Sequence, residues 1–193
     1  MNDEFPEQCL AIRYLNPHAK VLELGANVGR NTLVIASVIN DQKNLVSLET
    51  RLDSVEKLTE NRDNNNFSFF IEPSALSKRK LIQRGWDTIP SDTLLDGYFE
   101  VNSISYNDLE NKYSIVFDTI VADCEGALYY ILQDDPEMLK NINTVIMEND
   151  YWNIGHKNFV DSVLRLNGLD VSHQEAGGWG PCQKFFFEVW KRV

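Results

Sequence analysis

Short apolar runs alternate with longer segments of mixed polarity along most of the chain. The short runs are typical of buried strands, and the longer segments are typical of helices that bury one face. The predicted strands are 21–24, 44–49, 67–71, 116–122, 144–147, 169–173 and 185–190. The predicted helices are 31–39, 53–62, 106–112, one that starts near 125, and 157–166. Asp53 is expected to cap the helix 53–62 at its start, and Gly168 to cap the helix 157–166 at its end.

The pattern loosens between about residues 74 and 102, where no helical period survives. Trp86, Pro90 and Gly97 punctuate this stretch, and residues of these kinds mark turns and irregular structure. Long irregular insertions in compact domains often serve a function. We therefore expect an irregular or β-rich excursion that covers the functional site.

The order of these elements predicts the architecture. Strands that alternate with helices form a mostly parallel sheet with helices on both faces. The last two of the seven predicted strands have no helix between them, so we expect them to form an antiparallel hairpin at one edge. The length of the chain, 193 residues, fits a single α/β domain spanning 1–193.

The composition of the chain indicates which kinds of partner the protein binds and in which redox compartment it works. The net charge is −11, from 18 basic and 29 acidic residues, and such a surface repels the phosphates of nucleic acids. The single basic run, 77–80, is interpreted as a solvated turn, so no nucleic-acid partner is expected. Cys9, Cys124 and Cys182 are widely spaced and form no CxxC pair, which favours reduced thiols.

The start of the chain and its hydropathy predict a cytoplasmic protein without a membrane span. Residues 1–4 are mostly acidic or polar and lead into no apolar signal sequence. No apolar run approaches the ~18 residues that a transmembrane helix needs.

A glycine-containing turn, Glu23-Leu24-Gly25-Ala26-Asn27-Val28-Gly29, follows the first strand. Ligands of open α/β sheets bind at the carboxyl ends of strands, and Gly25 and Gly29 would let the backbone approach one closely. A dinucleotide site needs a glycine where Asn27 stands, which weakens an NAD interpretation. S-adenosylmethionine carries no phosphate, and its ammonium group would suit the carboxylate of Glu23.

An acid also ends the second strand. Glu49 lies 24 residues beyond Gly25 and is placed to accept hydrogen bonds from both ribose hydroxyls of the cofactor, although an exposed acid at a strand end would look the same. Together, Glu23, the glycines and Glu49 favour S-adenosylmethionine.

Two further acidic clusters follow the fourth and fifth strands. They are Asp123-Cys124-Glu125-Gly126 and Glu148-Asn149-Asp150. Helix capping, with Asp123 as N-cap and Glu125 in the first turn, is the alternative to a functional role.

These segments resemble the FkbM family of methyltransferases, which pairs a Gly-Ala-Asn-x-Gly turn with an Asp-x-Glu-Gly segment after the fourth strand. The resemblance covers about residues 21–150. Ser47-Leu48-Glu49 matches the ribose-binding segment, and Ser74-Ala75-Leu76-Ser77 matches a segment that lies against the adenine. The resemblance implies the Rossmann-like class I methyltransferase fold and cofactor contacts from Gly25, Ala26, Asn27, Gly29, Ser74, Ala75 and Asp123, besides those of Glu23 and Glu49.

The same resemblance implies O-methylation of a sugar or glycan hydroxyl. Because the domain is compact, with little chain before Val21, we expect acceptor selection to involve a linked domain or pathway partner such as a glycosyltransferase. Another small molecule or a lipid precursor remains an alternative acceptor. A non-catalytic module of the same fold and an NAD-dependent enzyme are the alternatives from other classes.

For catalysis we expect Asp123 to act as a base or as a metal ligand, with Glu125 beside it. Asp123, Glu148 and Asp150 would together offer oxygen ligands to Mg²⁺ or Mn²⁺. His156 is the alternative base, or else a surface residue. Trp86, Trp152 and Trp179 lie in or beside predicted loops and could stack on sugar rings, although packing roles explain them equally well.

Overall fold

The chain begins with a helix that the sequence analysis did not predict. The computed structural model describes residues 4–193, so residues 1–3, part of the start judged to be no signal sequence, lie outside the described residues. Helix α1 (Phe5–Tyr14) starts with a proline in its first turn, where the missing N–H is not needed. It buries Glu7, Leu10 and Ala11, whose spacing of three and four residues puts them on one face.

The remaining elements follow largely in the predicted order. The first half of the chain contains β1 (Val21–Leu24), α2 (Arg30–Val38), β2 (Leu45–Leu48), α3 (Leu52–Asn64) and β3 (Phe70–Glu72). The excursion contains β4 (Ala75–Leu76), β5 (Leu81–Arg84), β6 (Asp87–Pro90), β7 (Phe99–Val101) and β8 (Ser103–Ile104). The second half contains α4 (Tyr106–Tyr113), β9 (Thr119–Ala122), α5 (Leu128–Asp134), β10 (Thr144–Glu148), α6 (Ile154–Leu166), β11 (Leu169–Glu175) and β12 (Phe187–Arg192). Short 3₁₀ helices occupy Gln42–Asn44, Pro136–Asn141 and Gly180–Phe185.

A seven-stranded sheet forms the centre of the molecule, in the order β11-β12-β10-β9-β1-β2-β3. Strands β10, β9, β1, β2 and β3 run parallel, whereas β12 is antiparallel to both β10 and β11. The predicted mostly parallel sheet with a closing antiparallel hairpin is therefore confirmed. Strands β1, β2 and β9 are buried along their whole length because helices cover them.

The helices pack around this sheet. Helix α1 contacts α2 and the strands β10 and β12, and α5 packs against α6, which in turn contacts β11. The contact of α1 with β10 matters for the site, because it brings Glu7 towards the fifth strand of the parallel set.

The excursion between β3 and α4 is β-rich, which is one of the two possibilities, irregular or β-rich, that the sequence predicts. Strands β4 and β8 form a short parallel pair, and β5 pairs with β6 and β7 in a three-stranded antiparallel sheet. This second sheet stands apart from the central one, which explains why its sequence lacks the pattern of a strand followed by a covering helix.

Several helix starts differ from the prediction, and α6 begins at Ile154, three residues before the predicted start at 157. Helix α3 begins at Leu52, so Asp53 lies in its first turn and not at the cap, and its carboxylate pairs with Arg51 at 2.7 Å. Helix α5 begins at Leu128 and not near Glu125, because Glu125 and Gly126 have positive φ angles of 51° and 77° that a right-handed helix does not allow. The predicted end of the last helix is correct, since Gly168 has a φ angle of 78° two residues after Leu166.

Across residues 4–193, none of the helices combines the length and the apolar character that a membrane span requires.

Candidate functional site

A cavity of about 170 Å³ lies at the carboxyl ends of β1, β2 and β9, under the small sheet of the excursion. Seven residues that the sequence analysis selected line it: Gly25, Asn27, Glu49, Ser74, Ala75, Asp123 and Glu125. The structure thus gathers residues from four separate segments of the chain around one space. This is the place where open α/β sheets bind their ligands.

The glycine turn forms one wall of this cavity through close backbone contacts. The N–H groups of Gly25 and Ala26 both donate to the carbonyl oxygen of Leu48, at 3.1 and 2.9 Å. A Cβ atom on Gly25 would lie 1.7 Å from the carbonyl oxygen of Asp123, and the φ angle of Gly25 is 85°. Only glycine satisfies both the conformation and the crowding at this position.

Glu49 holds the turn from the next strand. Its Oε2 accepts the N–H of Asn27 at 2.8 Å, and its Oε1 accepts the N–H of Arg51 at 2.8 Å. Only 7% of Glu49 is exposed, yet it lines the cavity. The carboxylate is therefore fixed in orientation before any ligand binds, because both of its oxygens are anchored to the backbone.

Three predicted cofactor residues lie behind the cavity wall. Glu23 is buried below the turn, where its Oε2 accepts a hydrogen bond of 2.6 Å from the Ser47 hydroxyl. Burial raises the pKa of Glu23 to about 7, and Ser47 opposes the rise. Ala26 is buried, and Gly29 leaves room for the side chain of Leu58, which a Cβ would meet at 2.4 Å. Glu23, Ala26 and Gly29 thus support the turn and do not line the cavity.

The excursion supplies the roof of the cavity, as expected from its irregular sequence. Leu81, Gln83, Trp86, Thr88 and Pro90 from β5, β6 and the turn between them line it. Gln83 is 4% exposed, and its Oε1 accepts a hydrogen bond of 2.8 Å from the Thr50 hydroxyl. The sequence analysis missed Gln83 and Thr50, since no motif marks them.

An acidic cluster adjoins the cavity at the ends of β9 and β10. Carboxylate oxygens of Glu7, Asp123 and Glu148 all lie within 4.8 Å of one another. Burial and the nearby charge of Asp150 raise the pKa of Asp123 well above its usual value. Burial and contact with Glu7 likewise raise the pKa of Glu148. Asp150, the third predicted metal ligand, is buried next to this group but does not belong to the converging set.

Glu7 is the residue of this cluster that the sequence analysis missed. The spacing of Glu7, Leu10 and Ala11 could have indicated a helix, but nothing local places that helix beside β10.

The loop after β9 has a conformation that excludes the capping interpretation. The N-cap position of α5 is Ala127, and no side chain caps that helix. Asp123 lies four residues earlier, on the cavity wall, and Glu125 reaches the cavity from a left-handed backbone conformation. Burial, followed by the charge of Asp87, raises the pKa of Glu125.

His156, the alternative base, points elsewhere. It lies in the first turn of α6, and its ring stacks on Tyr129 with centroids 3.7 Å apart and planes 3° apart. It does not line the cavity, whereas the neighbouring Tyr130 does.

Two of the three loop tryptophans form a pair. The rings of Trp152 and Trp179 lie 4.1 Å apart, although 27 residues separate them in the chain. Trp152 is 82% exposed and follows the acidic segment 148–150 directly. Trp86 lies apart from this pair, in the cavity roof with Arg51 over its ring.

Comparison with solved structures identifies the type of fold. No protein-family model and no curated protein matches the sequence. Among solved structures, the ribosomal protein L11 methylase of Lactobacillus delbrueckii subsp. bulgaricus has a TM-score of 0.60 at 12% identity, covering 100% of this chain and 79% of that one. A putative RNA methyltransferase of Pyrococcus horikoshii has a TM-score of 0.59 at 14% identity, covering 100% of this chain and 84% of that one.

A methyltransferase FkbM of Methylobacillus flagellatus KT is also similar, with a TM-score of 0.59 at 9% identity. The match covers 92% of this chain and 44% of that one, so this chain spans less than half of its length. The strand order, the closing hairpin and these neighbours agree. The chain has the Rossmann-like fold of the class I, S-adenosylmethionine-dependent methyltransferases.

Proposed function

We propose that this protein is an S-adenosylmethionine-dependent O-methyltransferase that acts on a hydroxyl of a sugar or glycan. The observation that carries the proposal is the cavity at the carboxyl ends of β1, β2 and β9. An anchored carboxylate, Glu49, lines it on one strand end, and a half-buried carboxylate with a raised pKa, Asp123, lines it on another. The first suits ribose binding and the second suits proton removal.

The cavity walls fit this cofactor in chemistry. Each oxygen of Glu49 already accepts one backbone N–H, and a carboxylate oxygen has a second lone pair that can accept a ribose hydroxyl. On Oε1 this hydroxyl would replace the long contact of 3.5 Å with the Thr50 hydroxyl. Apolar side chains from both sheets line the same cavity and would contact an adenine ring: Leu48, Leu76, Leu81 and Pro90. Ser74 and Ala75 lie next to them. Glu23 contributes indirectly, by supporting the turn from below.

The cofactor supplies a methyl group carried on a sulfonium. In the proposed reaction the acceptor oxygen forms a bond to the methyl carbon while the bond from carbon to sulfur breaks, and its electron pair goes to sulfur. Asp123 takes the proton that the acceptor hydroxyl loses. General-base assistance of this kind is worth about 10²–10⁴-fold in rate. Asp123 suits this role better than His156, because Asp123 lines the cavity and His156 does not.

The acceptor class rests on the FkbM resemblance and on the aromatic pair. Parts of both segments that carry the resemblance line the cavity: Gly25 and Asn27 from the first, and Asp123 and Glu125 from the second. The pair formed by Trp152 and Trp179 offers an exposed aromatic surface beside the acidic segment. Aromatic faces pack against the apolar faces of sugar rings, which favours a carbohydrate acceptor.

An RNA acceptor is the second candidate, because three of the structural neighbours are named as RNA or rRNA methylases. The charge of this chain disfavours it. The net charge is −11, and two of the three basic side chains in the basic run 77–80 are paired within the molecule, since Lys78 pairs with Asp135 at 2.9 Å and Arg79 with Asp134 at 2.5 Å. Few positive charges remain on this segment to bind phosphates.

The first test is a calorimetric titration of the protein with S-adenosylhomocysteine and, separately, with NAD. We expect binding of S-adenosylhomocysteine alone, with a free energy on the order of −8 kcal/mol. Asp123→Asn should retain this binding within a few-fold and lose at least 100-fold in methyl transfer, because the amide keeps the shape of the side chain but cannot accept the proton. Full activity of Asp123→Asn would refute its role as the base.

The acceptor is then identified by transfer of labelled methyl groups to a panel of sugars, glycans and RNA. Labelling of a sugar hydroxyl supports the proposal, and labelling of RNA alone replaces it with the second candidate. If S-adenosylhomocysteine does not bind at all, a non-catalytic role for the fold becomes the better account.

A further inference from the structure

We propose that Glu7, Asp123 and Glu148 form a binding site for a divalent cation, Mg²⁺ or Mn²⁺, next to the cofactor cavity. The three residues come from separate parts of the fold: Glu7 from α1, Asp123 from the loop after β9, and Glu148 from the last position of β10. The site includes Asp123 and so deepens the proposed function, but cation binding is measured independently of methyl transfer.

The spacing of the oxygens suits a single hard ion. One carboxylate oxygen from each residue lies within 4.8 Å of the other two. Oxygens bound to one ion at about 2.1–2.4 Å are separated from each other by roughly 3–4.8 Å. Mg²⁺ is commonly held by a few carboxylates and keeps several waters, so three protein oxygens are sufficient.

The environment of Glu7 supports a cation site independently of the oxygen spacing. Glu7 is only 5% exposed, and its Oε2 has no hydrogen-bond partner within the part of the chain that the structure describes, residues 4–193. A buried carboxylate oxygen without a donor is strongly unfavourable, and proteins normally pair such groups or use them to coordinate metals. No side chain among residues 4–193 donates to this oxygen, so a bound cation would supply its missing positive partner.

The distribution of salt bridges among residues 4–193 also supports a cation site. Among residues 4–193, no lysine, arginine or histidine forms a salt bridge with Glu7, Asp123 or Glu148. Asp150, also buried, adds a further negative charge beside them. The structure thus concentrates carboxylates at one point without a basic side chain, which is the arrangement that a divalent cation stabilises.

This ion would adjoin Asp123, which also lines the cofactor cavity. A cation at that position would orient the acceptor oxygen and favour its deprotonation. Among the three ligands that the sequence suggested, Asp123 and Glu148 stay in the site, and Glu7 takes the place of Asp150.

The test measures the binding of Mn²⁺ to the protein by electron paramagnetic resonance, in which the signal of the free ion decreases as the ion binds. Mg²⁺ is then added as a competitor. We expect one Mn²⁺ per chain, displaced by Mg²⁺. Glu7→Gln should weaken the binding at least tenfold, because one charged ligand becomes a neutral amide. Glu137→Gln is the matched control: this exposed acid lies in the segment that leads into the start of β10, at the opposite edge of the sheet.

Folding of each variant is checked by titration with S-adenosylhomocysteine in the presence of a chelator. If the wild type binds S-adenosylhomocysteine but no Mn²⁺, or if Glu7→Gln and Glu137→Gln bind Mn²⁺ equally well, the cation site is refuted and the proposed function stands. Binding of Mn²⁺ that depends on Glu7, without binding of S-adenosylhomocysteine, would support the site and refute the proposed function. Should Glu7→Gln fail to fold, Glu148→Gln replaces it in the same comparison.

Discussion

At the scale of single residues, Gly25 shows how closely two strand ends approach at this site. The carbonyl oxygen of Asp123 occupies the space where a Cβ of residue 25 would be, at 1.7 Å. The N–H of Asp123 also donates to the carbonyl oxygen of Leu24 at 3.0 Å. The turn after β1 and the loop after β9 therefore share one backbone contact, and the position of Asp123 depends on the absence of a side chain at Gly25.

We expect Gly25→Ala to lower the free energy of unfolding by about 3 kcal/mol or more, because the methyl group meets backbone atoms that no rotamer change can move. Gly97→Ala is the control, since its φ angle of 75° is similarly unfavourable for alanine but its nearest contact is the flexible Arg84 side chain at 3.6 Å. That variant should lose only about 1–2 kcal/mol. Urea denaturation measures both, and equal losses would show that the clash at Gly25 relaxes without cost.

At the scale of elements, the loops that follow the strands place the aromatic surface. Trp152 follows β10, and Trp179 lies in the connection between β11 and β12. The antiparallel pairing of β12 with β10 brings these two loops together. The pair formed by Trp152 and Trp179 is thus a consequence of sheet topology, whereas Trp86 belongs to the excursion and lines the cavity.

We expect Trp152→Ala to raise the KM for the sugar acceptor about five- to tenfold, since the loss of one aromatic contact is worth roughly 1 kcal/mol. Its binding of S-adenosylhomocysteine should not change, because Trp152 is mostly exposed and lies outside the cavity. Trp86→Ala should show the opposite result, with weaker cofactor binding. Steady-state kinetics with the acceptor found in the transfer assay tests this. An unchanged acceptor KM in Trp152→Ala would remove the pair from acceptor binding.

At the scale of the whole molecule, the buried acidic residues make the free energy of unfolding depend on pH. Several acids are buried, and burial raises the pKa of Glu23, Asp123, Glu148 and Asp150 in the folded state. An acid whose pKa is raised by folding binds more protons in the folded than in the unfolded state. The free energy of unfolding therefore falls as the pH rises from the unfolded pKa to the folded pKa.

Glu23→Gln isolates one of these contributions. The pKa of Glu23 rises from 4.5 to about 7 on folding, so the wild type should lose about 2 kcal/mol between pH 5.5 and pH 8 that the variant does not lose. The other buried acids contribute equally to both proteins and cancel in the difference. Urea denaturation at the two pH values measures it, and a difference between wild type and variant that is the same at both pH values would contradict the raised pKa.

The order of strands and helices could be predicted from the sequence by itself, because it depends mainly on the local pattern of apolar and polar residues. Apolar runs such as Val21–Leu24 and Thr119–Ala122 are strands in any arrangement that buries them, and alternation with helices leads to a parallel sheet. Residues at the carboxyl ends of neighbouring parallel strands must lie near one another. For this reason Gly25, Glu49 and Asp123 could be assigned to one site from their positions in the chain alone.

Tertiary structure alone decided which side chains face the cavity and what completes the site. Glu23 looked like a cofactor ligand, but in the fold its carboxylate turns below the glycine turn towards Ser47. Gln83 and Glu7 reach the site from an irregular excursion and from a helix that packs on β10, and neither carries a local signal. The direction of a side chain and the meeting of distant segments depend on packing across the whole chain, because contacts between distant residues leave no periodic mark in the sequence.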